Sequence, residues 1–423
     1  MPSIPGPDTI QRHELPNGIV VLVHENHSSP SVALHGYLWA GALDEEEGFD
    51  GLADFTAECL THGAGKRSMA QIYAEVESIG AAIDVGSDRQ LTGFGAKSLA
   101  EDTRFVLGVL ADVLRRPKFP LEEIERVRDE MLTGLEIRDN DTRARADLAF
   151  DELAYAGHPY GRDPDGTVET IHRIQRKHLK RFHKRYYTPR GMTFSFAGAV
   201  HGTDAVAWVN ETFGDWQAER PARAPLPPVT PLAGTVTRHV TMPGKIQTDI
   251  VLGFHGPQRS SEDFLAARLA NCILGIFGMM GRLGNNVRES LGLAYYSYSR
   301  VAGGLGPGPW AVMAGVNPAN VERAVQAIRD ELRRIITEPV PAEELADNQA
   351  YITGSMPLTL ESNDSVARTI LDIELHGLGM DYLQRYKSII DAFTPADVQA
   401  VARRYLDPDC YALATAGPAS VSM

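Results

Sequence analysis

Asp54, Glu58 and His62 follow one another at intervals of four residues in the segment 51–63. On an α-helix this spacing places all three side chains on one face. Carboxylates and imidazoles bind zinc, but a zinc site needs about three protein ligands around one ion. The first and third residues would lie ~12 Å apart along the helix axis, so one ion cannot reach both. A metal held by Glu58 and His62 would need a ligand from elsewhere, and a polar helix face lining a cavity or an interface is the other interpretation.

The same segment has the frame of a metal-binding helix without its metal chemistry. In the inverted zinc motif H-x-x-E-H the histidines bind the ion and the glutamate activates water. Those three positions hold Asp54, Ala57 and Glu58 here. The flanks resemble the pitrilysin and mitochondrial processing peptidase family, whose members read roughly G-L-A-H-x-x-E-H-x-L-x-x-G. The residues that match this frame are Gly51, Leu52, Ala53, Leu60 and Gly63. The sequence therefore resembles a family member that cannot hold zinc in the usual way.

The resemblance implies that the third zinc ligand is a glutamate on the long helix of the first domain. The matching region is 130–138, where Gly134 and Leu135 fall near the ligand position and Glu136 is close to it. A set made of Glu58, His62 and Glu136 is the weak alternative that this comparison leaves open. We predict that this chain carries no cofactor, and the resemblance places zinc in a partner subunit.

Arg288 and Tyr295 are a second candidate site, seven residues apart in the text R-E-S-L-G-L-A-Y. This block resembles the family's arginine–tyrosine pair, which sits opposite the zinc in the closed clamshell. A guanidinium and a phenol are donors that can hold a peptide carbonyl and an oxyanion. The spacing alone favours an exposed arginine and a sheet tyrosine, and only the match of the whole block favours the functional interpretation. A short helix ending at Gly292 and followed by a strand would position both groups.

Composition and charge exclude several classes of protein. The chain has 423 residues, 43% of them hydrophobic, and a net charge of −14, which argues against nucleic-acid or anionic-membrane binding. Three scattered cysteines, Cys59, Cys272 and Cys410, argue against a disulfide framework. Residues 1–11 do not form a signal peptide, and no apolar run approaches the ~20 residues that span a bilayer. We expect a cytoplasmic protein that does not bind membranes.

Internal similarity indicates two tandem halves. Four markers recur in order with offsets of 218 to 221 residues: Leu114 to Arg116, Pro120 to Ile124, Arg185 with Tyr186, and Gly198. The segment 217–234 is rich in proline and suits an extended linker. We predict an N-terminal domain at 1–216 and a homologous C-terminal domain at 235–423.

Each half is predicted to have strands at both ends and helices between them. The β-branched run 19–23 predicts a buried strand, and the region 121–153 predicts one long charged helix. A glycine-rich run, 303–309, predicts a hairpin loop. The fold class is therefore α+β, two tandem domains that each pack helices on one face of a largely antiparallel sheet. The resemblance implies half of a peptidase clamshell.

The resemblance implies a non-catalytic subunit of a heterodimeric or heterotetrameric zinc peptidase. A homologous partner would carry the zinc, and this chain would supply Arg288 and Tyr295 to grip an unfolded peptide. Two alternatives remain open: a scaffold subunit without a part in catalysis, and a self-sufficient peptidase with an atypical metal site. The isolated chain could also form a homodimer.

Overall fold

The computed structural model describes residues 4–223 and 225–419. Within that part of the chain the strands are β1 (Ile10–Glu14), β2 (Val20–Glu25), β3 (Ser31–Leu38), β4 (Gly63–Ala64), β5 (Arg67–Ser68), β6 (Ala82–Ser87), β7 (Thr92–Leu99), β8 (Thr193–Gly198), β9 (Val236–Thr241), β10 (Thr248–His255), β11 (Ala294–Val301), β12 (Pro309–Val316) and β13 (Ala412–Gly417).

The helices are α1 (Leu52–Glu58), α2 (Met69–Glu77), α3 (Thr103–Arg115), α4 (Leu121–Asp139), α5 (Thr142–Ala154), α6 (Val168–Arg173), α7 (Arg176–Tyr186), α8 (Gly202–Phe213), α9 (Phe264–Gly275), α10 (Phe277–Leu283), α11 (Val321–Thr337), α12 (Ala342–Ser355), α13 (Asn363–Leu375), α14 (Tyr382–Ala392) and α15 (Pro395–Tyr405). The predicted α+β class is confirmed.

Two compact units divide the chain, and each is assembled from three segments. Unit 1 contains the chain up to Leu135, Asp163–Pro225 and Pro357–Gln384. Unit 2 contains Glu136–Arg162, Leu226–Met356 and the chain from Arg385 onward. The edges of these units do not coincide with the predicted domains 1–216 and 235–423, because α5 belongs to unit 2 and α13 belongs to unit 1. As the limits of two homologous halves, the predicted boundaries stay a prediction.

Unit 1 contains a sheet with the strand order β1-β2-β8-β3-β7-β6. The pair β2–β8 is parallel and the other pairs are antiparallel. Alternate residues of β2 face opposite sides, as the period of a strand requires. Val21 and Val23 join the main core with helices such as α3. Val20 and Leu22 lie on the other side and pack against Ile370 of α13. Helices therefore cover both faces of this sheet, which the prediction of one covered face did not include.

Unit 2 repeats this plan with the order β11-β12-β10-β13-β9. Here the parallel pair is β9–β13, and α5 packs across β10, β13 and β9. The antiparallel pair β11–β12 confirms the hairpin predicted around residues 303–309. The strand β11 lies at one edge of the sheet, so one side of its backbone has no partner strand in the described residues.

The predicted long helix at 121–153 is wrong in one respect, since the chain breaks between α4 and α5. The side chain of Asp141 accepts a hydrogen bond from the amide of Ala144 at 2.8 Å, which starts a new helix. The segment 217–234 contains no helix or strand wherever the structure describes it. Arg220 and Arg223 both pair with the buried carboxylate of Asp44, so the first part of this segment is anchored within unit 1.

No single helix in residues 4–223 and 225–419 has both the length and the apolar composition needed to cross a membrane. A bent pair of helices, Phe264–Gly275 with Phe277–Ser290, has the required length and apolar composition only when the two helices are counted together. Cys59 and Cys272 are buried free thiols, and Cys410 is a half-buried one.

Candidate functional site

Helix α1 carries the degenerate motif and is held firmly at its start. Gly51 precedes the helix with φ of +90°, and a Cβ there would lie 2.7 Å from the carbonyl oxygen of Asp165. Only glycine fits that conformation and contact without strain. The Glu45 carboxylate accepts a hydrogen bond from the amide of Ala53 at 2.7 Å, which places a negative charge at the positive end of the helix. The motif residues that follow therefore have a well-defined orientation.

His62 does not continue the helical face of Asp54 and Glu58, which corrects the prediction from spacing. Helix α1 ends at Glu58, and a 3-10 turn, Cys59–Thr61, follows it. Arg126 Nη2 lies 3.1 Å from His62 Nδ1. A guanidinium only donates, so the lone pair of Nδ1 is occupied. Burial lowers the pKa of His62, which keeps the ring neutral and favours the Arg126 contact over the one with Glu123 Oε2 at 3.3 Å. Nδ1 of His62 is not available to a metal.

The two carboxylates of α1 stand in an environment that favours the protonated form. Burial raises the pKa of Asp54 to about 7, and the charges of Glu58 and Asp165 add to the effect. Burial also raises the pKa of Glu58, with Glu130 as the neighbouring charge. A bound dication would have the opposite effect on both groups. This face of α1 can hold a proton near neutral pH, which is different chemistry from metal ligation.

Ala57 occupies the position of the motif's glutamate and is buried, with 1% of its surface exposed. A methyl group cannot accept a proton from water, so the general base of the zinc mechanism is missing. In the described residues Glu58 and His62 belong to no group of three potential ligands whose atoms lie within 4.8 Å of one another. Glu136 is exposed on α4, next to Leu135 in the core. The alternative set Glu58, His62 and Glu136 stays a prediction.

Tyr295 lies in a β-bulge of the edge strand β11. Ala294 pairs with Val316 and Tyr296 pairs with Gly315, so Tyr295 is the extra residue between them. Bulges often turn a side chain out of the regular alternation beside functional sites. Tyr295 is 81% exposed. Its phenol is therefore accessible at a sheet edge that can accept another strand.

Arg288 lies on a π-helical turn, Gly284–Ser290, that precedes β11. About a third of its side chain is exposed, at 31%, and Nε lies 3.3 Å from Glu289 Oε1. Gly292 connects the turn to the strand with φ of +60°, as the predicted helix end at this glycine requires. An ion pair this exposed contributes little and can be exchanged for a ligand.

A buried polar cluster beneath β11 supports the bulge, and sequence reasoning missed it. The Tyr296 hydroxyl donates to Asp249, which is 2% exposed and also accepts from Thr142 and from Gln247 at 3.1 Å. The Arg143 guanidinium stacks over the Tyr296 ring at 5.4 Å and also over Tyr298. Burial raises the pKa of Tyr296, and Asp249 adds to the shift. The only signal in the sequence is the run Tyr296 to Arg300, in which tyrosine and serine alternate along a strand.

The glycine-bearing segment before Arg288 has an irregular backbone. Gly278, Met280 and Gly281 all have positive φ, at 62°, 77° and 63°. A positive φ is unfavourable for a methionine, and such conformations persist where surrounding packing enforces them. The next residue, Arg282, makes a two-pronged ion pair with Glu344, with Nε 2.8 Å from Oε1. This pair fixes the end of the irregular segment.

Comparisons with known proteins cover most of the chain. A family model described as Insulinase (Peptidase family M16) matches residues 20–163. A second model, described as Peptidase M16 inactive domain, matches residues 173–351. An uncharacterized zinc protease of Streptomyces coelicolor is 28% identical over 414 residues, which cover 95% of this chain and 88% of that protein.

Two further relatives extend the comparison. The mitochondrial-processing peptidase subunit beta of Saccharomyces cerevisiae is 26% identical over 387 residues, covering 87% of this chain and 82% of that protein. The crystal structure of a peptidase M16 inactive domain from Pseudomonas fluorescens superposes with a TM-score of 0.90 at 24% identity, covering 97% of this chain and 98% of that one. That likeness concerns the fold.

Proposed function

Because the chain belongs to peptidase family M16, we propose that it is the non-catalytic, substrate-binding subunit of a two-chain zinc metallopeptidase. A homologous subunit with an intact H-x-x-E-H motif supplies the zinc and the general base in this proposal. The present chain supplies Arg288 and Tyr295, and the complex processes or degrades unfolded peptides in the cytoplasm.

The accessible bulge at Tyr295 is the observation that carries the proposal. A peptide can add to the free edge of β11 through main-chain hydrogen bonds, which demand little of its sequence. Tyr295 is 81% exposed at that edge, and Arg288 is held by one exposed ion pair. Both groups donate hydrogen bonds and neither is committed to the core. Donors placed this way suit a substrate carbonyl whose oxygen gains negative charge during hydrolysis.

The chemistry of α1 supports a role without hydrolysis by this chain. Ala57 cannot activate water, and burial together with the charges of Glu58 and Asp165 raises the pKa of Asp54 to about 7, so neither residue provides the zinc chemistry of the intact motif. The purified chain should therefore cleave no peptide and hold no metal on α1.

The test is reconstitution with family members of the same genome that carry the intact motif. Each is combined with this chain, and cleavage of an unstructured fluorogenic peptide is followed. Activity should appear only in the mixture with the natural partner. Tyr295→Phe and Arg288→Ala should each lower kcat at least tenfold, since removal of a single oxyanion donor costs ~100-fold or more in other hydrolases.

Two variants serve as matched controls. Tyr351 is 45% exposed and Arg323 is exposed on α11, so Tyr351→Phe and Arg323→Ala remove the same groups elsewhere in unit 2. Both should leave turnover unchanged, and gel filtration should show that all four variants still assemble. Full turnover in Tyr295→Phe and Arg288→Ala would remove the role assigned to the pair and leave a scaffold subunit.

A further inference from the structure

Glu25, His27 and His201 meet at one edge of the sheet in unit 1. The strands β2 and β8 are parallel, with Glu25 opposite Gly198 at their last residues. The carboxyl ends of parallel strands lie at the same edge of a sheet, so the residues that follow each strand come together there. His27 follows β2 by two residues and His201 follows β8 by three. In this way the topology joins side chains that are more than 170 positions apart.

Both imidazoles face the same oxygen of the carboxylate. His27 Nε2 lies 3.2 Å from Glu25 Oε2, and His201 Nδ1 lies 3.1 Å from it. The two rings are 4.9 Å apart between centroids. All three potential ligand atoms lie within 4.8 Å of one another, and within residues 4–223 and 225–419 this is the only such group of three.

The second oxygen of Glu25 is held by other donors. Oε1 accepts from the amide of Gly202 at 2.9 Å and from Gln11 Nε2 at 2.9 Å. The approach of Gln11 depends on the missing side chain of Gly202, where a Cβ would lie 1.9 Å from Gln11 Oε1. Glu25 is thus an oriented carboxylate with one oxygen directed at two imidazoles, as in metal sites whose ligands are oriented by outer hydrogen bonds.

The fold does not require these residue types at this position. In unit 2 the parallel strands β9 and β13 form the corresponding edge, with Thr241 opposite Gly417. Thr241 stands where Glu25 stands in unit 1, and Pro243 occupies the position of His27. At these two positions unit 2 therefore has neither a carboxylate nor an imidazole.

We propose that Glu25, His27 and His201 bind a divalent transition-metal ion, with Zn²⁺ the ion that the donor set fits best, and that Gln11 is a positioning residue for the carboxylate. Two imidazole nitrogens and one carboxylate oxygen are a common protein donor set for zinc. The histidine side chains are 48% and 66% exposed, so solvent or an external ligand completes the coordination. On binding, each ring nitrogen that faces Oε2 presents its lone pair and the other ring nitrogen carries the proton.

This site is independent of the role proposed for Arg288 and Tyr295, and it lies on different elements from the degenerate motif. Titration calorimetry of the full chain with ZnCl₂, after removal of any affinity tag, should show one ion bound per chain. The double variant His27→Ala with His201→Ala should weaken binding at least tenfold. Gln11→Ala should weaken it ~10-fold, in the range measured for outer-shell partners.

The matched control is the double variant His13→Ala with His172→Ala, which removes two exposed histidines of the same unit and should leave binding unchanged. In the wild-type chain, Zn²⁺ should protect His27 and His201, but not His13 and His172, from diethylpyrocarbonate, as mapped by mass spectrometry. Absence of binding at millimolar Zn²⁺, or binding and protection that do not depend on His27 and His201, would overturn the assignment. Tyr295→Phe should bind Zn²⁺ normally, so failure of one proposal does not imply failure of the other.

Discussion

Asp54→Asn should stabilise the protein at alkaline pH and have little effect at acid pH. Burial, Glu58 and Asp165 together raise the pKa of Asp54 from 3.8 to about 7. Between these two values the folded chain holds a proton on Asp54 that the unfolded chain has lost. The contribution of Asp54 to stability is therefore fully present below pH 3.8 and is lost as the pH rises to about 7. Asparagine has nearly the shape of the protonated side chain and does not ionise.

The magnitude follows from the size of this interval. A shift of about three pH units corresponds to ~4 kcal/mol at 1.36 kcal/mol per unit. Asp54 is only partly buried, and solvent and the titration of Glu58 reduce the effect. We expect the free energy of unfolding of Asp54→Asn, relative to wild type, to increase by ~2 kcal/mol between pH 5 and pH 8.

The wild-type curve alone cannot show this effect, because His183 has the opposite dependence. Burial lowers the pKa of His183 from 6.5 to about 4, so its contribution to stability rises with pH over nearly the same interval. The difference between variant and wild type cancels the His183 contribution.

The assay is urea unfolding followed by far-UV circular dichroism at pH 5, 6, 7 and 8, in EDTA so that no bound metal contributes. Asp8→Asn, which neutralises an exposed carboxylate of the same unit, is the matched control and should show no trend. If the free energy of unfolding of Asp54→Asn, relative to wild type, stays constant or decreases with pH, the inference that burial raises the pKa of Asp54 is refuted.

Two packing predictions concern unit 2. Gly275→Ala should destabilise the protein by ~3 kcal/mol in urea unfolding, because the new Cβ would lie 2.3 Å from the amide nitrogen of Ser299. The control is Gly108→Ala, which has no neighbouring atom within 4 Å of the new Cβ and should be neutral or slightly stabilising. Equal effects of the two substitutions would contradict the close approach of α9 to β11. Tyr296→Phe should cost ~2 kcal/mol, since the buried Asp249 loses a donor; a loss no larger than that of Tyr351→Phe would show that the Asp249 cluster does not stabilise β11.

Local patterns predicted most of the regular structure. The run Val20 to Val23 forms a central strand because β-branched side chains fill both faces of the sheet. The glycine-rich run at 303–309 marks the loop between β11 and β12 because glycine and proline interrupt regular structure. These elements depend on their own residues, so the sequence was sufficient to predict them.

Elements that depend on a cap were predicted less well. The break at Asp141 looks like one more acidic residue in a charged helix, and only its hydrogen bond to Ala144 shows that it begins α5. His62 follows Glu58 by four residues, the spacing of one helical face, although α1 ends at Glu58. Spacing indicates a shared face only as long as the helix continues.

Features that join distant segments were beyond local reasoning. The bulge at Tyr295 arises from a shift in register against β12, which no property of β11 alone specifies. Glu25 and His201 meet because β2 and β8 are parallel neighbours, and the sequence near either residue shows only an isolated polar group. The family resemblance could identify Arg288 and Tyr295, but it contained no information on a site outside the motifs of the family.

Helix α5 lies in the N-terminal half of the sequence but belongs to unit 2, and α13 lies in the C-terminal half but belongs to unit 1. This exchange limits how the chain could be divided into fragments that fold. A fragment that stops in the proline-rich segment would leave Val20 and Leu22 of β2 without the cover of Ile370. The complementary fragment would lack α5, and with it the helix that packs on β10 and β13. Each fragment would expose the apolar sheet face that the missing helix covers, and it would tend to aggregate. Neither half of the chain is therefore expected to fold as a free-standing domain unless polar residues replace the apolar ones on that exposed sheet face.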